Sequence, residues 1–223
     1  MDTAHPHHEL KPASLSQQIA EHIEALIING VYEQGSKLNE QSIALELGVS
    51  SNKLREALVL LERTHLVELL PRRGVRVVQL ELHKVDQLYQ AFFVVLAEMG
   101  AGTAGRYNPS ENQRRLNDMS LYLESQSYDK FQTTAFGFIG YILRNHQNWY
   151  MNEAVRNLLP LIRWTSRIAF ESAREELPRA LNALQSMHHL LEQGQGDQVR
   201  KAIIDYGKYQ YQLIKRSLNE GIS

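Results

Sequence analysis

Cysteine is absent from the 223 residues of this chain. Disulfide bonds, metal sites built on thiolates and a cysteine nucleophile are therefore excluded. Long apolar runs are also absent, because the longest, at residues 91–97, falls far short of the roughly 20 residues that span a bilayer. The first fifteen residues are polar and lack the apolar core of a signal peptide. We therefore expect a cytoplasmic protein with no membrane partner.

An excess of positive charge is missing too. The net charge is −1 and the pI is about 6.8, with 43% apolar and 22% charged residues. These values are typical of a globular protein, and they argue against binding nucleic acid through a basic tail. Residues 1–80 hold three lysines and five arginines against ten acidic residues. Any affinity for DNA would therefore have to come from the local placement of a few cations.

Sequence signatures of enzymes are absent as well. The chain contains no glycine-rich phosphate loop, no H-E-x-x-H metal motif, and no spacing typical of a Ser-His-Asp triad or of paired catalytic carboxylates. Such chemistry needs particular residue types held together in a defined geometry. We therefore expect that the protein is not an enzyme.

Residues 37–78 carry the strongest pattern in the chain. Apolar residues at helical spacing predict two short helices, with Gly48 and Ser50 in the turn between them. Ser50 or Ser51 can cap the second helix by accepting a hydrogen bond from a free backbone N–H. This second helix has one apolar stripe at i, i+3, i+4 and i+7, formed by Leu54, Ala57, Leu58 and Leu61.

A basic turn follows, between two stretches that alternate apolar and polar residues. The turn reads Pro71-Arg72-Arg73-Gly74. Alternation predicts a strand on each side of it, with the apolar positions at Val67, Leu69, Val75 and Val77. A helix–turn–helix followed by a basic hairpin predicts a winged helix, whose usual task is to bind DNA.

The second helix and the hairpin turn supply candidate DNA contacts. Asparagine and arginine can read adenine and guanine edges in the major groove, whereas lysine more often neutralises a phosphate. An ordinary solvated helix face would carry similar residues, and the two arginines of the turn favour DNA binding over that alternative. The candidate DNA-binding residues are Gln41, Ser51, Asn52, Lys53, Arg55, Arg72, Arg73 and Gly74.

Four motifs within residues 14–80 follow one family pattern. They are Gly35-Ser36-Lys37-Leu38-Asn39-Glu40, Leu45-Glu46-Leu47-Gly48-Val49-Ser50, Leu54-Arg55-Glu56-Ala57-Leu58 and Arg73-Gly74-Val75-Arg76-Val77. This region resembles the N-terminal domain of GntR-family transcription regulators, which implies a winged helix that binds an operator. The family commonly has Arg, Thr and Pro where this chain has Ser51, Asn52 and Lys53. The resemblance therefore implies an operator that can differ from the family's common one.

Beyond residue 80 the alternating pattern stops, and residues 81–223 predict an all-helical domain. Pro160 and Pro178 are expected near helix starts, where the missing N–H costs little. Residues 1–13 are expected to form a disordered tail. The predicted fold class is mainly α, with an N-terminal winged helix-turn-helix and a C-terminal antiparallel helical bundle. The bundle helices are expected at about residues 83–106, 108–125, 128–145, 149–159, 161–172, 177–193 and 197–218.

The helical domain has a long first helix ending in small residues, a break centred on Asn148, and a Gly196-Asp197 step before its last helix. These features resemble the FCD (FadR C-terminal-like) subfamily, many of whose domains hold a metal through one Asp and three His and receive a carboxylate effector. His188 or His189 can supply one ligand after a one-residue shift. The resemblance implies a pocket without metal or other cofactor, since the corresponding positions hold Ala135, Ile139, Ser186 or Met187, and Gly207 or Lys208.

Several polar-tipped side chains lie on helices that are otherwise rich in core residues. Arg163 and Arg167 share a helix face at i, i+4 and could together hold an anion. Ordinary amphipathic tyrosines and solvent-facing arginines are the alternative interpretation. The candidate effector-binding residues are Tyr89, Tyr141, Arg163, Arg167, His188 and Tyr206.

Together these patterns predict a transcription regulator, a repressor, that binds double-stranded DNA at an inverted repeat as a homodimer. A small-molecule effector in the helical domain would shift the equilibrium of operator binding. Apolar residues 92–96 cover more than one face of the first bundle helix, so this helix is expected at the subunit interface. The alternative is an interaction or structural protein that keeps a winged helix but has lost specific operator binding.

Overall fold

The computed structural model describes residues 14–220, and the predicted tail at residues 1–13 lies outside them. Within the described range the chain forms nine α-helices and a three-stranded antiparallel sheet, with 78% of residues in helices. The predicted fold class is therefore confirmed. Contacts divide the chain into two units, the first ending at Val77 and the second beginning at Val78.

The first unit contains the predicted helix–turn–helix and hairpin. Its sheet has the strand order β1-β3-β2, with both pairs antiparallel. The strand β1 was not predicted, because two residues are too few for alternation to be visible in the sequence. The elements are α1 (Leu15–Ile28), β1 (Lys37–Leu38), α2 (Glu40–Glu46), α3 (Ser51–Arg63), β2 (Val67–Leu70) and β3 (Gly74–Val77).

One apolar core holds the first unit together. Helices α1 and α3 pack against each other, and Ile23, Ile27, Leu54 and Leu58 are each at most 1% exposed. Burial of a side chain of this size contributes about 1.5–3 kcal/mol. Because the core takes up the whole apolar stripe of α3, the polar residues of that helix are left facing solvent.

The second unit is all-helical over the part that the structure describes. Asn148 ends the break before α7 by capping that helix, since its Oδ1 accepts a hydrogen bond from Met151 N at 3.1 Å. No helix within residues 14–220 combines the length and apolar composition that a bilayer span requires. The helices are α4 (Leu82–Thr103), α5 (Pro109–Glu124), α6 (Tyr128–Asn145), α7 (Trp149–Ser172), α8 (Leu177–Glu192) and α9 (Gly196–Glu220).

The prediction of a helix start at Pro160 was wrong, because α7 is continuous through it. A proline inside a helix removes one i→i−4 hydrogen bond and costs about 3 kcal/mol. Tertiary packing offsets this cost here, since Pro160 is itself buried and Val155 and Ile162 on either side of it are at most 1% exposed. Pro178 does lie in the first turn of α8, as expected.

Helix α4 lies in the interior of the second unit, where it packs on α6, α7 and α9. Phe92, Phe93 and Leu96 are therefore buried within the unit, and of this apolar run Val94 is the residue left widely exposed, at 59%. Helix α9 approaches closely at Gly207, where any side chain would collide with the Phe93 ring. One subunit thus buries most of residues 92–96 but not all, and the part left for a subunit interface is the Val94 side of the helix.

Candidate functional site

The turn between α2 and α3 is fixed by two caps and a glycine. Asn39 Oδ1 accepts a hydrogen bond from Ser42 N at 3.1 Å, and Ser50 Oγ accepts one from Lys53 N at 3.3 Å. Gly48 has a φ of 63°, a left-handed conformation that costs a residue with a side chain about 1–2 kcal/mol. These features set the point at which α3 begins and therefore which of its residues face outward.

The outward face of α3 begins with the predicted polar cluster. Ser51, Asn52, Lys53 and Arg55 are all exposed, while Leu54 between them is 1% exposed. The free N–H groups and the partial positive charge of a helix N-terminus favour a nearby phosphate. Gln41, at the start of α2, is also exposed. This arrangement can present side chains to a groove and a positive helix end to the backbone of DNA.

An acidic residue that sequence reasoning missed modifies this face. Lys53 Nζ lies 2.8 Å from Glu56 Oε2, and Ser16 Oγ of α1 donates a hydrogen bond to the same oxygen at 2.5 Å. The Lys53 ammonium, followed by the Ser16 hydroxyl, lowers the pKa of Glu56. Arg55 makes no ion pair with any residue between 14 and 220. The charge of Lys53 is thus partly compensated, and that of Arg55 is free for a ligand.

The hairpin turn presents two more free cations. Arg72 and Arg73 are exposed and form no ion pair within the described part of the chain. The turn closes through a hydrogen bond from Arg73 N to Leu70 O at 3.0 Å. Arg72 has a φ of 60° and Gly74 a φ of 84°. Two left-handed residues so close together make the turn sharp, so both guanidinium groups project from its tip.

A further basic residue lies beside β3. The register pairs Arg76 with Lys37 of β1 on one side and with Glu68 of β2 on the other, and all three side chains are exposed. Lys37 was not among the predicted contacts, because its neighbour Arg76 comes 39 positions later and only the strand pairing brings them together. The sheet therefore adds a second pair of cations to the first unit.

The second unit encloses a cavity of about 80 Å³ among its six helices. The FCD resemblance places metal ligands at positions that line it here, occupied by Ala135, Ile139 and Met187. Of the predicted effector residues, Tyr206 lines the cavity. Within residues 14–220, no three His, Asp or Glu side chains lie close enough together to hold a metal ion. The wall is mostly apolar, and its polar members are Asn112, Gln132, Ser166, Tyr206 and Gln210.

Two predicted effector residues belong instead to a hydrogen-bonded cluster around Tyr107. Its hydroxyl lies 2.5 Å from His188 Nδ1, while the other ring nitrogen of His188 lies 3.1 Å from Gln113 Oε1. A neutral ring with its proton on Nε2 satisfies both contacts. Burial lowers the pKa of His188, consistent with that neutral form. The hydroxyl of Tyr141 accepts a hydrogen bond from Asn108 N at 2.7 Å. The cluster satisfies its own polar groups.

Tyr89 does not line the cavity, and its hydroxyl faces α7. Its hydroxyl lies 3.0 Å from Thr165 Oγ1, and burial raises its pKa to about 12. Tyr89 also lines a groove of about 420 Å³ between α4 and α9, together with Val94 and Tyr211. Tyr89 therefore lies between this groove and the Phe93 ring, which it contacts at 5.6 Å between ring centres.

The two arginines of α7 do not meet a common anion. Arg163 is exposed, with its guanidinium 5.6 Å from the centre of the Phe136 ring. Arg167 forms ion pairs with Asp129 at 3.0 Å and with Glu171 at 2.9 Å. Their shared helix face, predicted from the i, i+4 spacing, exists, but neither lines the cavity. An acidic partner already occupies Arg167.

The fold and the placement of its charges define the first unit as a winged helix-turn-helix domain. Residues 15–77 match the family model of bacterial regulatory proteins, gntR family. Residues 15–77 are thus a GntR-type helix-turn-helix domain, and the resemblance of residues 81–223 to the FCD type stays a prediction.

Two individual proteins are similar to parts of the chain. An uncharacterized HTH-type transcriptional regulator, YdhC, of Bacillus subtilis (strain 168) is 32% identical over 80 residues, 36% of each chain. The gluconate operon transcriptional repressor of Bacillus licheniformis is 26% identical over 162 residues, 71% of this chain and 66% of the repressor. The match thus spans about a third of one relative and two thirds of the other.

Similarity of fold extends over both units. The structure of E. coli McbR/YncC superposes with a TM-score of 0.81 and covers 93% of this chain and 100% of that one, at 15% identity. At such low identity the agreement shows a shared fold and nothing about ligands.

Proposed function

We propose that the protein is a sequence-specific DNA-binding transcription regulator, a repressor that acts as a homodimer on an inverted-repeat operator. The observation that carries the proposal is the set of free arginines on the winged-helix domain: Arg55 on α3, with Arg72 and Arg73 at the hairpin tip. An exposed arginine without an acidic partner is available to a guanine edge or a phosphate. The two similar proteins are named as a transcriptional regulator and a transcriptional repressor, which supports the same function and argues against an enzyme.

A homodimer follows from the small number of cations. Affinity for DNA rises with the number of phosphates neutralised, and one domain with an acidic excess in residues 1–80 offers few such contacts. Two domains related by a two-fold axis double the contacts and require two inverted half-sites. The exposed Val94 side of α4 is the proposed interface.

The helical unit would hold a small-molecule effector, with no metal or other cofactor. An effector changes operator binding only by the difference in its affinity for the two states of the protein. The cavity supports this part of the proposal, because a mostly apolar pocket with a few polar groups is the usual form of a ligand site.

Selection of binding sites from a random DNA pool, followed by anisotropy titration of variants, tests the proposed function. Arg55→Ala should weaken binding to the selected site by about 1–3 kcal/mol. Arg63→Ala is the matched control, because Arg63 is also exposed but lies at the opposite end of α3. Equal effects of the two changes, or failure to enrich any site, would favour the interaction protein that has lost specific operator binding.

Sedimentation of surface variants tests the dimer. Val94→Asp should separate the subunits and abolish operator binding together, since it places a charge in the proposed interface. Leu121→Asp is the matched control: Leu121 on α5 is 60% exposed, close to the 59% of Val94. A monomeric wild-type chain that still binds a single half-site tightly would contradict the dimer.

A further inference from the structure

The cavity of the second unit is walled by aromatic rings from several helices. Helix α6 contributes Phe131, Phe136 and Phe138, and rings from other helices are Phe93, Phe170 and Tyr206. Aromatic and branched aliphatic walls favour an apolar molecule, because each square ångström of apolar surface removed from water stabilises its bound state.

No charged side chain lines this cavity within the described residues. The lining contains neither Asp, Glu, Lys, Arg nor His, and its titratable member, Tyr206, has its pKa raised further by burial, so the phenol stays neutral. The basic groups next to the wall already have other contacts. Arg115 pairs with Glu111, Arg167 pairs with Asp129 and Glu171, and the Arg163 guanidinium lies over the Phe136 ring. A carboxylate or an ammonium group in this space would lack a partner and would be strongly disfavoured.

The polar groups of the wall differ in how far their hydrogen bonds are satisfied. Asn112 Oδ1 accepts from Arg115 at 2.7 Å, and Gln210 Nε2 donates to the Tyr206 hydroxyl at 3.0 Å. Ser166 Oγ is different. Its residue is 2% exposed, and the hydroxyl has no hydrogen-bond partner in the part of the chain that the structure describes.

Neighbouring hydroxyls on α7 show what Ser166 lacks. Thr165 Oγ1 donates to Leu161 O at 2.8 Å, and Ser172 Oγ donates to Ile168 O at 3.0 Å. Ser166 makes no such bond to its own helix. Its hydroxyl lies beside the Tyr89 phenol and opposes the rise in the Tyr89 pKa that burial causes, but no hydrogen bond of normal distance and angle joins the two groups. A buried unsatisfied hydroxyl is costly and rare. Because the Ser166 hydroxyl belongs to the cavity wall, it is available to hydrogen-bond a molecule bound there.

The volume limits the size of such a partner. A cavity of about 150 Å³ with apolar walls is known to accept benzene, and the present volume is about 80 Å³. Met187 lines the wall, and its unbranched, flexible side chain can move to enlarge the space. The space is therefore too small for a ring until Met187 moves, and one ring, or a branched chain of similar size, is the upper limit after that movement.

We propose that this cavity binds a small, uncharged and mainly apolar molecule with one hydrogen-bonding group, which Ser166 recognises, and that binding needs no metal ion. The inference rests on the proposed function, in that it names the chemical class of the effector. It assigns recognition to a residue that the sequence did not single out, and it excludes carboxylates as ligands of this space.

Three probes of similar shape separate the contributions. Benzyl alcohol is uncharged with one hydroxyl, toluene lacks the hydroxyl, and benzoate carries a charge. Binding is followed in the full chain by NMR of ¹³C-labelled methionine methyl groups, because Met187 lines the cavity whereas Met119 and Met151 do not. Benzyl alcohol and toluene should shift the Met187 resonance in a saturable manner, while benzoate, with or without zinc, should not.

Two variants test the contact itself. Ser166→Ala should weaken the binding of benzyl alcohol about tenfold, as expected for the loss of one hydrogen bond, and should change the affinity for toluene less than twofold. Ser186→Ala, at an exposed serine of α8 outside the cavity, should change neither. Ala135→Leu should abolish binding of both probes by filling the space, and retained melting temperature shows that each variant folds.

Several results would overturn the inference. One is that benzoate binds as tightly as benzyl alcohol, and another is that zinc raises the affinity for any probe. A third is that Ser166→Ala weakens the binding of both neutral probes equally. The last is that the probes shift the Met151 resonance but not the Met187 resonance. DNA binding is measured on the same samples. If the wild-type chain binds its operator but none of the probes, the inference fails and the proposed function stands. If it binds the neutral probes but no specific DNA site, the proposed function fails and the cavity still binds this class of molecule.

Discussion

In the first unit the residues that a ligand would meet are polar or charged and lie outside the core, whereas in the second unit they are mostly apolar and lie between the core helices. The apolar stripe of α3 is consumed by the core, so its polar residues necessarily form a surface. The cavity of the second unit exists because side chains from six helices leave space between them. A surface site is therefore set by local periodicity, and an internal site by long-range packing. Four substitutions test this contrast.

The largest effect is expected from removing a core ring in the second unit. Phe92→Ala should lower the free energy of unfolding by about 3–5 kcal/mol, because Phe92 is 0% exposed and its loss leaves a void. Gln90→Ala, at an exposed position of the same helix, should stay within about 0.5 kcal/mol. Urea unfolding measures both. Similar values for the two would mean that α4 is not an interior helix.

The cap of α3 comes next. Ser50→Ala should lower the free energy of unfolding by about 1 kcal/mol, since Lys53 N loses its hydrogen bond at the helix start. Operator affinity should fall as well, because the candidate contacts directly follow this cap. Ser36→Ala is a control within the same unit but outside any helix. Weaker stability with unchanged DNA affinity would separate the helix start from the binding surface.

A smaller effect is expected in how the stability of the second unit depends on pH. Burial, opposed by Glu192, lowers the pKa of His188 in the folded state below its usual value of about 6.5. Above that pH both states are neutral and nothing changes. Below it the unfolded chain takes up the proton first, so stability declines as pH falls towards the folded-state pKa.

His188→Gln should reduce this decline, since glutamine can contact both Tyr107 and Gln113 without titrating. His22→Gln, at an exposed histidine of the first unit, is the control. Thermal unfolding between pH 7.5 and 5 gives the comparison. Parallel curves for wild type and His188→Gln would show that the ring has the same pKa in the folded and unfolded states.

The smallest effect is expected at the surface of the first unit. Glu56→Gln keeps an acceptor for Ser16 but removes the charge that compensates Lys53. Exposed ion pairs contribute about 0–1 kcal/mol, so operator affinity should rise by no more than about fivefold. The dependence of binding on salt should steepen by up to about one unit if Lys53 gains a phosphate. Glu62→Gln is the control. An unchanged slope would place Lys53 away from DNA.

Much of the fold could be predicted because its signals are local. Ser50 as a cap, the bounds of α6 and the break at Asn148 all follow from a few adjacent residues, and the structure confirms them. The helix start predicted at Pro160 was wrong because α7 is kept continuous there by packing against residues distant in the sequence, which no local pattern reveals. The DNA-binding candidates lie where periodicity placed them, but their contacts with DNA stay predictions.

The internal site could not be predicted from spacing. Ser166 lies next to Thr165, and nothing in the sequence tells that one hydroxyl is satisfied and the other is not. The candidates Tyr141 and His188 are polar groups on core-rich helices, but neither lines the cavity. His188 contacts the Tyr107 hydroxyl, and Tyr141 accepts a hydrogen bond from the backbone of the next residue, Asn108. Only the packing of complete helices separates these outcomes.

The contact between Ser16 and Glu56 has a consequence for protein engineering. It joins residues 40 positions apart and ties α1 to the helix that would read DNA. Transplanting α3 alone into a related scaffold would leave Glu56 without its distant donor and free to draw Lys53 into a different orientation. To transfer the DNA specificity of this protein to another scaffold, both α3 and the face of α1 that carries Ser16 would therefore have to be moved together.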